Sequence, residues 1–263
     1  MNTLNRIEKS LTSVQMKKIL FGLTIFTLSS AVPLLISGTG ASAAVLSKLT
    51  AARPVDGISK PEEKILSYAE SIYERSDLSN YGLDFEVFDL ALKGFDRLAT
   101  NGLLNNDSVL TVVDFSKSSR QKRLFVIDLR KKQVVYHSLV AHGKNSGMEY
   151  ANSFSNTPSS HKSSLGFYIT RGTYQGSNGY SLQLDGCEKG INDKALSRAI
   201  VMHAAAYANE NVVQNGFLGR SYGCPAVPEK MNKKIIDKIK GGNVMFLYFP
   251  DNQYLKKSEI LNG

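Results

Sequence analysis

Cys224 stands in the run Gly219-Arg220-Ser221-Tyr222-Gly223-Cys224-Pro225. A glycine directly before a cysteine lets the backbone turn tightly, so that a thiol and its neighbouring amides can point at one spot. A thiol attacks as the thiolate, and at neutral pH it needs a base or a positive neighbour, usually a histidine. His203 is the nearest histidine in sequence, 21 residues earlier at the end of a short apolar run. This pair predicts cysteine-nucleophile chemistry. Cys187 is the only other cysteine, and an even count in an exported chain equally predicts one Cys187–Cys224 disulfide. The residues alone leave both readings open.

The other reactive residue types carry weaker signals. His137 and His142 fall in or at the end of a predicted strand, where hydrogen-bonded or partly exposed histidines are the ordinary case. Four scattered histidines without H-x-x-x-H spacing predict no zinc site. Ser159-Ser160-His161-Lys162 and Ser119-Arg120-Gln121-Lys122 both fit S-x-x-K, but with neither K-T-G nor S-D-N present they are chance matches. Gly143-Lys144-Asn145-Ser146-Gly147 lacks phosphate-loop spacing. No cofactor and no metal are expected.

These residues need elements to position them. Pro61-Glu62-Glu63 opens a helix whose stripe is Ile65, Leu66, Ala69, Ile72 and Tyr73. A second runs from about Glu86 to Thr100 and stops at Gly102. From Ser108 the period becomes two: segments 108–115, 122–129 and 133–140 read as strands, with further strands around Leu165–Thr170, Ser181–Asp185, 198–203 and 243–249. A Gly/Ser/Asn-rich loop at 143–164 is too long to be a plain connection. An amphipathic Lys-rich helix near 230–240 is a solvated face that can also lean on an anionic surface. Short antiparallel strands with few helices predict a β-rich α+β domain behind a helical lead-in that covers a sheet edge.

Composition bounds the partners. The 263 residues are 42% hydrophobic and 21% charged, with 12 Phe and 12 Tyr, a globular balance. Net charge is +9, which turns attention to nucleic acid, anionic membrane and anionic cell wall. Lys17-Lys18, the apolar run Ile19–Ile36 and Ala41-Ser42-Ala43-Ala44 predict a secretory signal cleaved after Ala43, with an uncleaved membrane anchor as the competing reading. Either one leaves the remainder outside the cytoplasm, which argues against DNA and RNA.

Val201-Met202-His203-Ala204-Ala205-Ala206-Tyr207 followed by Gly219-Arg220-Ser221-Tyr222-Gly223-Cys224-Pro225 resembles the catalytic signature of the L,D-transpeptidase (YkuD-type) family. Gly143–Gly147, Phe154-Ser155-Asn156, Lys162–Tyr168 and Gly190-Ile191-Asn192-Asp193 resemble its murein L,D-transpeptidase catalytic domain branch, over roughly residues 108–250. Two positions depart from the wider family: Ala204 where glycine is common, and Ala226 where Arg or Asn is common. The resemblance implies a mainly β fold with α, an antiparallel sandwich or barrel-like catalytic domain at 105–251. Around it the sequence reading places a signal or anchor at 1–43, a linker at 44–60, a helical lead-in at 61–104 and a tail at 252–263.

In function, the resemblance implies a peptidoglycan stem peptide as substrate, Cys224 as nucleophile and His203 as base. Cys187 becomes a bystander. Amides near Gly223 and Cys224, with Tyr222, are the expected oxyanion donors. The second ring nitrogen of His203 is expected on a backbone carbonyl, Ser221 on His203 or substrate, and Arg220 on a substrate carboxylate. Tyr168, Tyr207 and Lys144 are expected to line the cleft. The outcome is a transferase forming third-to-third cross-links, or an L,D-carboxypeptidase (a hydrolase) when water takes the acyl group. The contrasting alternative is a non-catalytic wall-binding module stapled by the disulfide. The setting implied is the periplasm or cell envelope, membrane contact being confined to the N-terminal segment and no protein partner being evident.

Overall fold

The computed structural model describes residues 60–263, and side chains from residue 67 onward. The expected signal or anchor at 1–43 and the linker at 44–60 lie outside the described residues, except that Lys60 opens the first helix. In chain order the elements are α1 (Lys60–Arg75), α2 (Phe85–Thr100), β1 (Val109–Asp114), β2 (Leu124–Asp128), β3 (Gln133–Ser138), β4 (Gly166–Gly176), β5 (Gly179–Gly186) and β6 (Val201–Ala204). There follow α3 (Glu210–Gln214), β7 (Ala226–Val227), α4 (Glu229–Ile239), β8 (Val244–Tyr248), α5 (Asn252–Lys257) and α6 (Glu259–Asn262).

The strands form one sheet in the order β3-β2-β1-β8-β4-β5-β6-β7. Most neighbours are antiparallel, but β1–β8 and β6–β7 run parallel. A parallel neighbour needs a long return path, and residues 205–225, carrying α3, provide it for β6–β7. The two sheet ends then meet. Ala141, just past β3, exchanges backbone hydrogen bonds with Ala226 of β7 at 2.8 and 3.4 Å. The mixed sheet is thereby a nearly closed barrel with helices packed on it, an α+β fold as the resemblance implied.

Every residue of β1, β2 and β8 is buried, because these central strands are covered on both faces. One cover is α2, which reaches β1, β8 and the Phe167 ring of β4. A Cβ on Gly94 would stand 2.0 Å from that ring, so only glycine lets the helix come so close. Phe167 in turn stacks on Phe246 at 4.2 Å between centroids. The helical lead-in therefore lies over the middle of the sheet and shares its core through Ala69, Ile72, Phe88, Leu92 and Leu98. It does not guard an edge, as its position before the first strand had suggested. Residues 252–263, the expected tail, are helical. They form α5 and α6, and Tyr254 and Ser258 donate to the buried Glu188 carboxylate, which also accepts the Phe167 N–H at 2.7 Å.

Candidate active site

In the parallel β6–β7 pair, His203 stands opposite Ala226. Continued backward, that register puts Cys224 beside Val201, and the Val201 N–H donates to Cys224 Sγ at 3.4 Å. Residues two apart on a strand share a face, so the thiol lies level with the residue two before the imidazole on the face it shares. His203 is 5% exposed. Its Nδ1 lies 2.8 Å from the Ala204 carbonyl oxygen. A carbonyl only accepts, so Nδ1 carries the proton and Nε2 is left with a lone pair.

Cys224 is half-buried. Burial pushes its thiol up, against the opposing pull of the Val201 N–H and the Arg198 charge. At rest it is therefore a protonated thiol, and Sγ donates to the Ala199 carbonyl at 3.7 Å. Ala199 sits at φ 54°, a left-handed conformation costing a residue with a Cβ about 1–2 kcal/mol. Among the described residues, His203 is not a hydrogen-bond partner of Sγ. A cavity of ≈ 140 Å³ lined by Tyr174, Gln183, Leu196, Ala199, Ile200 and Val201 opens against the backbone that holds the sulfur. A second cavity, of ≈ 340 Å³, lies past the other end of β6 among Ala205, Ala206, Asn209, Glu210 and β3 residues.

The cysteine turn is fastened from inside and outside. Gly223 has φ 120°, and a Cβ there would meet the Lys162 carbonyl oxygen at 2.7 Å, so glycine is required twice over. The Ser221 hydroxyl accepts the Gly223 N–H at 3.0 Å and donates to the Cys224 carbonyl at 2.6 Å. It thus locks the turn, and among the described residues His203 is not its partner. The same bond occupies the Gly223 amide, whereas the Tyr222 and Cys224 amides have no acceptor among the described residues. From outside, Ser221 N–H donates to His142 O, Lys144 N–H to Ser221 O, and Ser163 Oγ to Gly223 O. The long loop 143–164 is therefore the floor of the site.

The remaining expected residues divide. Tyr222 is 67% exposed, stacks on His161 at 4.3 Å and has Lys144 Nζ 5.7 Å from its ring centre. Tyr207 lies close enough for the Cys224 charge to act on it, and its phenol is pushed up to about 12, mainly by burial. Arg220 instead directs Nη1 to the carbonyls of Lys144 and Gly147 at 3.2 and 3.1 Å, so this arm of the expected clamp holds the loop. Tyr168 is a correction. It is fully buried, bonded to Ser164, because β4 is covered on both faces where it crosses the core. It cannot line a cleft.

Cys187 and Cys224 are both free thiols. Cys187 faces the Asp185 carbonyl, and burial with the neighbouring Glu188 and Asp185 charges pushes it up to about 12. Lys162 Nζ donates to Ser153 at 2.7 Å, so its ammonium is not bonded to Ser159. Two supports had no signal in the sequence. Arg123 is fully buried, its guanidinium bonded to the Lys117 and Val140 carbonyls and to His142 Nδ1 at 2.8 Å. The second is Arg198, which donates to four oxygens of the 155–164 segment. Tyr174, Gln183 and Leu196, which wall the cavity by the sulfur, had only their place on a strand or turn to suggest them. Among the described residues no three His, Cys, Asp or Glu side chains group as metal ligands.

A nearly closed mixed barrel, with one cysteine turn fastened against a strand that carries a histidine, describes the class. Residues 79–248 match the family model of the L,D-transpeptidase catalytic domain, and the chain belongs to that family. Among solved structures it is similar to an L,D-transpeptidase from Mycobacterium smegmatis, at 12% identity and TM-score 0.34, covering 54% of this chain and 59% of that one. The chain thus spans about three fifths of that relative. It is also similar to an L,D-transpeptidase from Stackebrandtia nassauensis (10% identity, TM-score 0.34, 73% and 80% covered). A third is the helical cell shape determining protein of Campylobacter jejuni (10% identity, TM-score 0.38, 61% and 57% covered). No curated protein matches the sequence.

Proposed function

We propose that this chain is an exported L,D-transpeptidase that cross-links peptidoglycan stem peptides through a thioester on Cys224. The observation that carries the reading is the β6–β7 register, which puts the thiol beside the strand whose histidine has a fixed tautomer. The stem residue whose carbonyl is attacked sits over Cys224, with the cavity beside Val201 receiving its neighbour. The thiol then turns from Ala199 toward His203, whose Nε2 takes the proton; such contacts commonly tighten only once substrate is bound. Sγ attacks the carbonyl between the L-centre of the third stem residue and the following D-alanine. The free Tyr222 and Cys224 amides receive the oxyanion. His203 returns its proton to the departing D-alanine nitrogen, leaving an acyl-thioester. An amine from a second stem attacks the thioester, gives its proton to His203 Nε2 and expels Cys224 as thiolate, which His203 reprotonates, completing the third-to-third cross-link.

The proposed organisation is a signal or anchor at 1–43, a linker at 44–60 and one compact α+β unit beyond it, working in the periplasm or cell envelope. After export the chain loses three of its nine net positive charges and keeps the balance beside an anionic polymer. The test incubates purified residues 44–263 with disaccharide-tetrapeptide and resolves the products by mass. A cross-linked dimer is expected; a shortened tripeptide alone assigns an L,D-carboxypeptidase, and neither product refutes both. Cys224→Ala is expected to abolish turnover, and full turnover in that variant refutes the nucleophile.

A further inference from the structure

Arg198 precedes Ala199, the residue whose carbonyl takes the Cys224 S–H. Its guanidinium is half-buried, and burial pulls it below the usual arginine range. Nη1 donates to Ser155 O at 2.8 Å and Ser164 Oγ at 3.2 Å, while Nη2 donates to Lys162 O at 2.7 Å and Ser160 Oγ at 3.3 Å. All four acceptors are neutral. Among the described residues no carboxylate forms an ion pair with it. A cation taken partly out of water without a counter-ion is costly, which calls for an anion that appears only at some stage of the protein's work.

The position of the charge says which anion. Around Gly223, the atoms nearest the place of a Cβ include Lys162 O at 2.7 Å and Arg198 Nη2 at 3.4 Å. The guanidinium therefore lies under the residue that precedes Cys224, and the carbonyl it grips is the one against which the turn is pressed. Other ionisable groups that face the thiol are Tyr207, past the end of β6, and His203 on β6 itself. Tyr168, on β4, meets the guanidinium through the Ser164 hydroxyl that both touch. The two phenols supply no positive charge, and His203 gains one only with the proton it takes from the thiol, so Arg198 is the cation already in place before that transfer. We propose that Arg198 is a positioning residue for the transfer reaction: it holds the cysteine turn through Lys162 and stabilises the Cys224 thiolate as it forms.

This inference rests on Cys224 being the nucleophile, and the experiment keeps the two apart. The rate of iodoacetamide alkylation of Cys224 is measured against pH, read by peptide mass so that Cys187 does not contribute, in the wild-type chain, Arg198→Met and Arg198→Lys. Thermal melts monitor folding. In Arg198→Met the alkylation midpoint is expected to rise by about one pH unit, since a charge near a thiol shifts it by one unit or more. The rate at pH 7 falls only about three- to fourfold, because the weaker acid gives a more nucleophilic thiolate. Arg198→Lys keeps the charge and is expected to hold the midpoint to within about 0.3 unit. A folded Arg198→Met with the wild-type midpoint overturns the proposal. If that variant does not fold, Arg198→Lys decides: a midpoint held supports the charge role, and one raised by a full unit overturns it. Turnover retained in Cys224→Ala refutes the nucleophile itself, whatever the Arg198 profiles show.

Discussion

Neutral His142 is an acid-labile support of the cysteine turn. Its ring is buried, and Nδ1 accepts an Arg123 N–H at 2.8 Å, which leaves Nε2–H to reach the Gly147 carbonyl at 3.4 Å. Burial, then the Arg123 charge, lowers the imidazole to about 4 from 6.5. The folded value is the depressed one, so the unfolded chain takes the proton first. Stability from this group is complete above about pH 6.5 and is lost as pH falls toward 4. Two and a half units correspond to about 3 kcal/mol in all, of which about 2.5 kcal/mol is lost between pH 7.5 and 4.5. Urea unfolding of wild type and His142→Gln at the two pH values measures it. Glutamine can still accept from Arg123 and donate to Gly147, so at pH 7.5 the variant is expected to lie only about 1 kcal/mol below wild type. At pH 4.5 it is expected to be the more stable of the two. Asp114 and Glu188, whose carboxyls burial raises, respond to acid in the opposite sense, but they titrate in both proteins and cancel in the difference. Parallel pH dependences for wild type and variant refute the reasoning.

Gly223→Ala combines a left-handed backbone with a 2.7 Å contact on Lys162 O, so about 3 kcal/mol of stability should be lost; a melting temperature within 2 degrees of wild type contradicts it. Ser221→Ala strips an acceptor from Gly223 and a donor from Cys224, and about 1–2 kcal/mol is expected to disappear in denaturant titration. Gly94→Ala drives a methyl into the Phe167 ring and should cost about 2–3 kcal/mol by thermal unfolding with alkylation of Cys224 little changed. Tyr222→Ala, at an exposed position, is expected to leave stability within about 0.5 kcal/mol. Its kinetic signature is a KM for tetrapeptide raised severalfold at unchanged kcat.

Cys224, Gly223 and His203 were legible because their chemistry is intrinsic to residue type and their separation is short. The main strands were legible for the same local reason: β1 to β3 end within two residues of the alternation that suggests them. Tyr168 was not, since alternation assigns one face to water and β4 has no wet face at that level. Arg198 and Arg123 were invisible because what defines each is a set of carbonyls delivered by other segments, and a carbonyl belongs to every residue alike. The helices within 252–263 were not legible for a related reason. Two helical turns carry too little periodicity to read, and the Glu188 carboxylate that anchors them lies more than 60 positions away. Asn192 and Gly166, quoted for their resemblance to a family motif, prove to build that same anchor. Asn192 donates to Leu165 O and Phe167 O, and Gly166 leaves room for Glu188 Oε2, which a Cβ would meet at 2.1 Å.

The barrel closes between Ala141 and Ala226, two residues from Cys224. A turn at a closing seam is tethered from both directions around the ring, so it has no hinge on which to swing. Force applied to an acyl group on Cys224 passes into β6 on one side and into the 141–147 segment on the other. Amide hydrogen exchange at Ala226 and Ala141 should accordingly report site integrity and fold integrity as one quantity. The backbone that carries Cys224 is therefore fixed to the ring, and only its side chain is free to turn.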